Sequence, residues 1–168
     1  MSQFKEISPD KINDNVFSLI GKDWMLISAS NGEKTNAMTA SWGGAGVLWN
    51  KNVVYVFIRP QRYTKEFVDA SDMFTLSFFD ETYRDTLTYF GRVSGRDEDK
   101  IAKAGLNVKT EDGAPVFDEA RLTLVCKKLY ASPMVKEGFI DKSLIEKNYS
   151  AGDFHMVYVG EIVKTLEK

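Results

Sequence analysis

Apolar and polar positions along this chain change over in short runs, too short for helices of many turns and well matched to strands. The run Trp24 to Ile27 leads through Asn31-Gly32 into Lys34 to Ser41, and Asn-Gly supplies the two φ > 0 positions of a type I′ turn, so the spacing predicts a β-hairpin. Gly43-Gly44-Ala45-Gly46 follows, where missing side chains let the backbone bend or come close to a ligand, and Asn50-Lys51-Asn52 predicts another turn. Val53 to Ile58 is continuously β-branched or aromatic, the pattern of a strand buried on both faces, and Pro60 ends it. Tyr63 to Ala70 reads as a two-turn helix and Phe74 to Phe79 as a strand. Tyr83, Leu87 and Phe90 fall at i, i+4 and i+7, which predicts a helix with Gly91 as its C′ residue.

Asp99 to Ala104 predicts a further helix stopped by Gly105, and Asp112-Gly113 a turn. Leu122, Leu124 and Cys126 alternate with Arg121, Thr123 and Val125 as in a half-exposed strand, and His155 to Val163 forms the final one. Near the start, Ser8-Pro9-Asp10 has the form of a helix beginning. Ser132 to Asp153 shows no clean period and reads as a long loop with a short helix around Leu144 and Ile145; a loop of that length in a compact domain is usually functional or disordered. Six or seven strands at hairpin spacing, broken by brief helices, predict a mainly β fold: a closed or partly closed β-barrel with helical plugs rather than a parallel α/β sheet. At 168 residues the chain suits a single domain over residues 1–168, with no repeat, low-complexity tract or linker.

Composition narrows the function by exclusion. An apolar fraction of 43% with 12% aromatics fits an ordinary soluble protein, and a net charge of −2 with the signs interspersed argues against nucleic-acid and polybasic membrane partners. Residues 1–6 lack the layout of a signal peptide, and no apolar run reaches the ~18 residues of a membrane span, so the expected location is the cytoplasm. The single cysteine, Cys126, excludes an internal disulfide or cysteine-cluster metal site, and the single histidine, His155, makes a zinc site equally hard to build. No metal is expected, and any chemistry has to lean on a cofactor. Two stretches point to one. Thr35 to Trp42 is small, polar and hydroxyl-rich between apolar neighbours, and Arg59-Pro60-Gln61-Arg62-Tyr63-Thr64 is a second polar knot at the mouth of a helix. Together they suggest a flat, anionic, hydrogen-bonding ligand.

Asn36 to Trp42, Arg59 to Thr64, Phe90 to Lys100, and His155 followed five residues later by Gly160-Glu161 resemble the flavin reductase-like proteins with an FMN-binding split β-barrel, in the branch that contains flavoredoxin. The resemblance runs in order over roughly residues 15 to 165. It implies a homodimer holding FMN near its interface, with NAD(P)H or a protein partner as electron donor. Thr39, Ala40 and Ser41 become candidates for backbone and hydroxyl contacts to the isoalloxazine, against the alternative of a strand packed under a helix. Asn36, Met38 and Trp42 match family positions near the flavin, although a buried core tryptophan is a rival reading for Trp42. Ser77 stands where many members carry asparagine, which removes an amide from the ring edge.

By the same resemblance the phosphate falls to Gln61, Arg62, Tyr63 and Thr64, where helix amides and an arginine fork converge on one anion; the rival is a Thr-capped helix beside a surface arginine. Lys100 would be a flavin-side cation, serving the reduced ring or a neighbouring subunit's phosphate, against the alternative of a solvated helix face. His155 takes the catalytic position through its His-x-x-x-x-Gly spacing, against the alternative of a satisfied core residue. No Gly-x-Gly-x-x-Gly fingerprint occurs, so NAD(P)H would have to stack directly over the flavin. The expected function is an FMN-binding flavin oxidoreductase passing electrons from NAD(P)H through bound FMN to free flavin or another acceptor. The alternative is a non-enzymatic FMN electron carrier that exchanges electrons with protein partners.

Overall fold

In the computed structural model, which describes residues 4–168, the short apolar runs pair into one eight-stranded antiparallel sheet and a separate two-stranded hairpin. The strands are β1 (Lys5–Ile7), β2 (Met25–Ser30), β3 (Thr35–Ala40), β4 (Gly43–Leu48), β5 (Lys51–Ile58), β6 (Met73–Phe78), β7 (Val108–Glu111), β8 (Ala114–Phe117), β9 (Leu122–Pro133) and β10 (Met156–Glu167). Spatial order is β3-β2-β6-β9-β10-β5-β4, with β1 on the last residues of β10 and β7–β8 as the hairpin. Ten strands therefore form where six or seven were expected. The sheet does not close: β3 and β4 are its two edges, although only Ser41 and Trp42 separate them in the chain. The result is a mainly β split barrel with short helices.

Five helices of three to nine residues fill the gaps: α1 (Val16–Ser18, continued by a π turn over Leu19–Asp23), α2 (Thr64–Ala70), α3 (Arg84–Arg92), α4 (Lys100–Ala104) and α5 (Ser143–Asn148). The main core joins Met25, Ile27, Val54, Val56, Ile58, Phe74, Leu76, Phe78, Leu124 and Tyr158 to Phe67 and Val68 of α2. A second core packs Leu87 and Phe90 of α3 against Leu26, Ala37, Phe79 and Phe117. No helix among the described residues is long and apolar enough to cross a membrane.

Local signals were overridden at three places. Asn31-Gly32 is not a type I′ turn: only Gly32 has positive φ (+93°), and residues 31–34 form a four-residue loop in which the Asn31 side chain accepts from the amides of Glu33 and Lys34 (3.0 and 2.9 Å). The paired positive φ values lie instead at Trp49 and Asn50 (53° and 57°), joining β4 to β5, and at Asp112 and Gly113 (50° and 81°), joining β7 to β8. Gly91 is not a C′ residue but lies within α3, where a Cβ would come 3.5 Å from Cβ of Thr39 on β3. Leu122 to Cys126 is buried on both faces rather than half exposed, since the hairpin covers the outer face and Val125 packs with Ala114 and Val116. The last strand also outruns its expected end at Val163, reaching Glu167 through two register shifts. At the first shift sits Gly160, where a Cβ would lie 2.5 Å from the Phe74 ring, so no larger residue fits without moving the core.

Candidate functional site

A narrow cleft of about 120 Å³ opens beside the start of α2, under the end of α3 and the start of α4. Its chemistry begins with how α4 is held. The Asp99 side chain caps the helix by accepting from the Ala102 amide at 3.0 Å, and Gly105 ends it at φ +69°, which leaves Lys100 turned inward and only 3% exposed. Arg62 enters from the turn before α2, whose amide bonds the Arg59 carbonyl at 3.1 Å. Nζ of Lys100 and Nη2 of Arg62 both donate to one acceptor, the Phe90 carbonyl, at 3.2 and 3.3 Å. Among the described residues neither cation forms an ion pair. Burial and the neighbouring Arg62 charge push the Lys100 ammonium down to about 8, and burial lowers Arg62 from its ordinary value. A buried ammonium and a half-buried guanidinium sharing one neutral carbonyl is a costly arrangement that an incoming anion would relieve.

Around them the sequence-predicted residues divide. Asn36 is 6% exposed and donates from Nδ2 to Oγ1 of Thr64 at 2.8 Å, so both side chains brace the cleft wall. Gly95 presses on the same amide, where a Cβ would lie 2.1 Å from Oδ1 of Asn36. Met38 lines the cleft and is otherwise core. Tyr63 stands edge-on to Phe67 with the Arg96 guanidinium 4.6 Å from its ring centre, and Arg96 pairs with Glu66. Gln61 is exposed and donates to Asp153 at 2.9 Å. Two first-turn amides of α2, those of Lys65 and Glu66, bond the carbonyls of Arg62 and Tyr63. Lys100 belongs with this chain's own Arg62, not on a solvated helix face.

Along β3 the free sheet edge continues from the cleft toward Ser41 and Trp42. Thr39 donates its hydroxyl proton to the Leu87 carbonyl of α3, so what that hydroxyl can still offer a ligand is an acceptor oxygen. Ala40 and Ser41 are half-buried, and Trp42 is 49% exposed, which removes the core-tryptophan reading. Ser77 lies apart: it is fully buried between β2 and β9, with Oγ 3.4 Å from Oγ1 of Thr123, and does not line the cleft.

Beyond Trp42 stands His155, 6% exposed, its ring 5.5 Å from the Trp42 ring and its Nδ1 2.6 Å from the Tyr149 hydroxyl. Burial and the Arg59 charge lower the imidazole below its ordinary value while Asp153 pulls the other way, a balance that favours the neutral ring. Arg59 itself bonds Asp153 at 2.7 Å and the Asn148 carbonyl at 3.0 Å, lying 5.0 Å over the Tyr149 ring. That clamp ties the segment after β9 to the end of β5. The sequence reading missed Gly95, Arg59, Tyr149 and the Phe90 carbonyl. The run Phe90 to Lys100 contained the signal for two of them, whereas the Arg59–Asp153 pair spans 94 positions and leaves no local trace.

No group of His, Cys, Asp or Glu among the described residues is placed to hold a metal ion. No curated protein sequence matches the chain. Solved structures resemble it at low identity. An FMN-binding domain of a flavin reductase-like enzyme from Shewanella baltica aligns over 99% of this chain and 78% of its own, at 17% identity and a TM-score of 0.71. Flavoredoxin from Methanosarcina acetivorans aligns over 96% and 76%, at 24% identity and 0.69. The NADH:FAD oxidoreductase SgcE6 of Streptomyces globisporus aligns over 87% and 75%, at 16% identity and 0.64. The flavin reductase-like domain profile matches residues 17–167, and with nine-tenths of its length inside that match the chain belongs to the flavin reductase-like family.

Proposed function

We propose that this protein is an FMN-binding flavin oxidoreductase that passes electrons from NAD(P)H through bound FMN to free flavin or another acceptor. The observation that carries the reading is the Arg62–Lys100 pair: a half-buried and a buried cation that form no ion pair among the described residues, at one end of an unpaired strand edge. A phosphate dianion satisfies both cations. The backbone groups between Thr39 and Ser41 that face away from β2 then suit a ring edge that alternates carbonyl acceptors with an N–H donor, and Trp42 and His155 stand at the open end. Asn36, Thr64 and Tyr63 hold the walls, and Gln61 links them to Asp153. Bound FMN would supply the hydride and electron chemistry that no side chain here provides. FAD would need contacts for an adenylate beyond the first phosphate, and the sequence carries no second phosphate-binding signal.

Anaerobic stopped-flow mixing of FMN-loaded protein with NADH and with NADPH tests this. Bleaching of the flavin band within seconds is expected with at least one of them. The flavoredoxin likeness supports a second reading, an electron carrier that exchanges only with protein partners, and the absence of bleaching with either nucleotide would select it. Protein that fails to bind added FMN would end both.

The same reading makes the protein a homodimer. Phe17, Trp42, Val47 and Trp49 are 84%, 49%, 70% and 56% exposed, close to the glycine-rich β4 edge, where an open strand invites a partner. Light scattering at micromolar concentration should return about twice the 19.0 kDa chain mass. FMN release should accompany dissociation on dilution, and a monomer that retains FMN would overturn the dimer.

A further inference from the structure

We propose that Tyr149 is a positioning residue that fixes the tautomer of His155, so that Nε2–H faces the Trp42 end of the site as a neutral donor to a carbonyl oxygen of the bound redox partner. The carbonyl belongs either to the flavin ring or to a nicotinamide carboxamide. This role rests on the flavin reading only for the identity of that acceptor; the tautomer follows from the protein alone.

A tyrosine hydroxyl has one proton to give. Two acceptors lie near Oη of Tyr149: Nδ1 of His155 at 2.6 Å and the Met134 thioether sulfur at 3.7 Å. Imidazole nitrogen is much the stronger acceptor, which favours a hydroxyl that donates to Nδ1 and a neutral ring with its own hydrogen on Nε2. The converse, Nδ1–H donating to Oη while the hydroxyl turns to the Met134 sulfur, is the state that the imidazole ¹⁵N spectrum would detect instead. Burial raises the Tyr149 hydroxyl above its ordinary value, which keeps it a donor at any physiological pH. Nε2 has no hydrogen-bond partner among the described residues, yet it is not sealed from solvent. It is therefore available to a ligand.

Burial and the Arg59 charge favour the neutral ring, with Asp153 opposing them. From β5 come the Phe57 ring, 6.4 Å away, and the Arg59 charge that resists protonation; from the segment after α5 comes Asp153, which Arg59 neutralises; Trp42 covers another side. Tyr149 is itself fixed from four directions. Its amide closes α5 onto the Ile145 carbonyl at 2.8 Å, Phe139 and Phe154 pack on its ring at 5.8 and 4.9 Å, and Arg59 lies over its face. The Met134 amide bonds the His155 carbonyl at 2.9 Å, joining both ends of the segment. So the stretch without sequence periodicity works as a frame that delivers one hydroxyl to one ring nitrogen.

His155 is the only histidine, so its imidazole ¹⁵N signals need no assignment. In wild-type protein the spectrum should show the Nε2–H tautomer at neutral pH, titrating below the ordinary ~6.5. Tyr149→Phe keeps the ring packing and removes only the hydroxyl; mixed tautomers and a pKa moved up toward the ordinary value are expected. Met134→Leu, which deletes the competing acceptor, should leave the wild-type pattern and serves should Tyr149→Phe fold poorly. Adding FMN should shift Nε2 more than Nδ1 if the flavin supplies the carbonyl, whereas a shift only on adding NAD⁺ to the FMN-loaded protein identifies the carboxamide. An Nδ1–H tautomer in the wild type, an unchanged spectrum in Tyr149→Phe, or no Nε2 response to either ligand would overturn the proposal. If wild-type protein is reduced by NAD(P)H, Tyr149→Phe should slow that step about tenfold, equal to about 1.4 kcal/mol; failure of the wild type to react removes the reductase reading and leaves the spectroscopic result standing.

Discussion

Replacing Lys100 with methionine should stabilise the ligand-free protein and weaken its affinity for FMN, opposite effects from one substitution. Methionine keeps most of the length and the apolar stem while deleting the charge that burial and Arg62 oppose. The ammonium titrates at about 8 in the folded chain against 10.5 ordinarily. Below the lower value both folded and unfolded chains hold the proton, and the folded one bears the whole penalty. Between the two values only the unfolded chain holds it, so this residue makes stability rise with pH through that window, and above 10.5 its penalty is gone. Lys100→Met should therefore add about 2 kcal/mol near neutrality and flatten that rise, measured by urea unfolding from pH 7 to 10.

Binding carries the reverse sign. A phosphate beside Lys100 restores its proton, so wild-type FMN affinity should be greatest between about pH 6, where the phosphate reaches its second ionisation, and about pH 8, and should decline above. Lys100→Met should cost about 1.5 to 3 kcal/mol of FMN affinity, the range for a hydrogen bond to a charged group, and hardly change riboflavin affinity. Arg62→Ala should show the same contrast, weakening FMN affinity by about 1.5 to 3 kcal/mol and hardly changing riboflavin affinity. Titration calorimetry with both flavins checks this, and equal losses for FMN and riboflavin would mean that the cations support the fold and not a phosphate.

Strand periodicity was legible wherever one residue's neighbours in the chain decide its fate. Val53 to Ile58 and Phe74 to Phe79 carry their burial in their own composition, and Asp99 and Gly105 bracket α4 with a cap and a left-handed stop. What failed depended on distant packing. Gly91 reads as a stop signal until Thr39 is seen against it, and the outer face of β9 reads as exposed until β7 and β8 fold over it. Asn31-Gly32 carries a strong dipeptide signal, but the Asn31 side chain closes a longer loop that satisfies two amides at once.

The site shows the same division. Arg62 and Lys100 could be picked out by motif, yet their meeting at the Phe90 carbonyl joins three segments that no local pattern relates. Sequence shows the Thr39 hydroxyl but not where its proton goes, and α3 takes that proton through the Leu87 carbonyl. Ser77 was placed by family position alone, and the pleat of β6 turns it into the sheet interior.

The heaviest structural penalty in the cleft should follow from one added methyl group, at Gly95. A Cβ there would lie 2.1 Å from Oδ1 and 2.9 Å from Cγ of Asn36, and 3.1 Å from the Tyr63 ring. Neither neighbour can swing away at low cost: Asn36 is buried and tied to Thr64, and Tyr63 is held between Phe67 and Arg96. The loop must give instead, and it leads within a few residues to Asp99, the cap that sets the direction of Lys100. Gly95→Ala should therefore lower stability by about 1 to 3 kcal/mol, as overpacking does, and should also lower FMN affinity by displacing Lys100 from Arg62. Asn36→Ala alone removes both nearest atoms and leaves the Thr64 hydroxyl without its donor, a loss of about 1 kcal/mol. In the double variant the methyl group occupies the space the amide vacates, so the combined loss should fall short of the sum by a coupling of about 0.5 to 3 kcal/mol. Urea midpoints and FMN titrations of the four proteins give that coupling twice, once for the fold and once for the site. Strict additivity in both would show that Asn36 does not hold the loop, and a coupling in stability alone would show that Gly95 sets the wall without setting the Lys100 position.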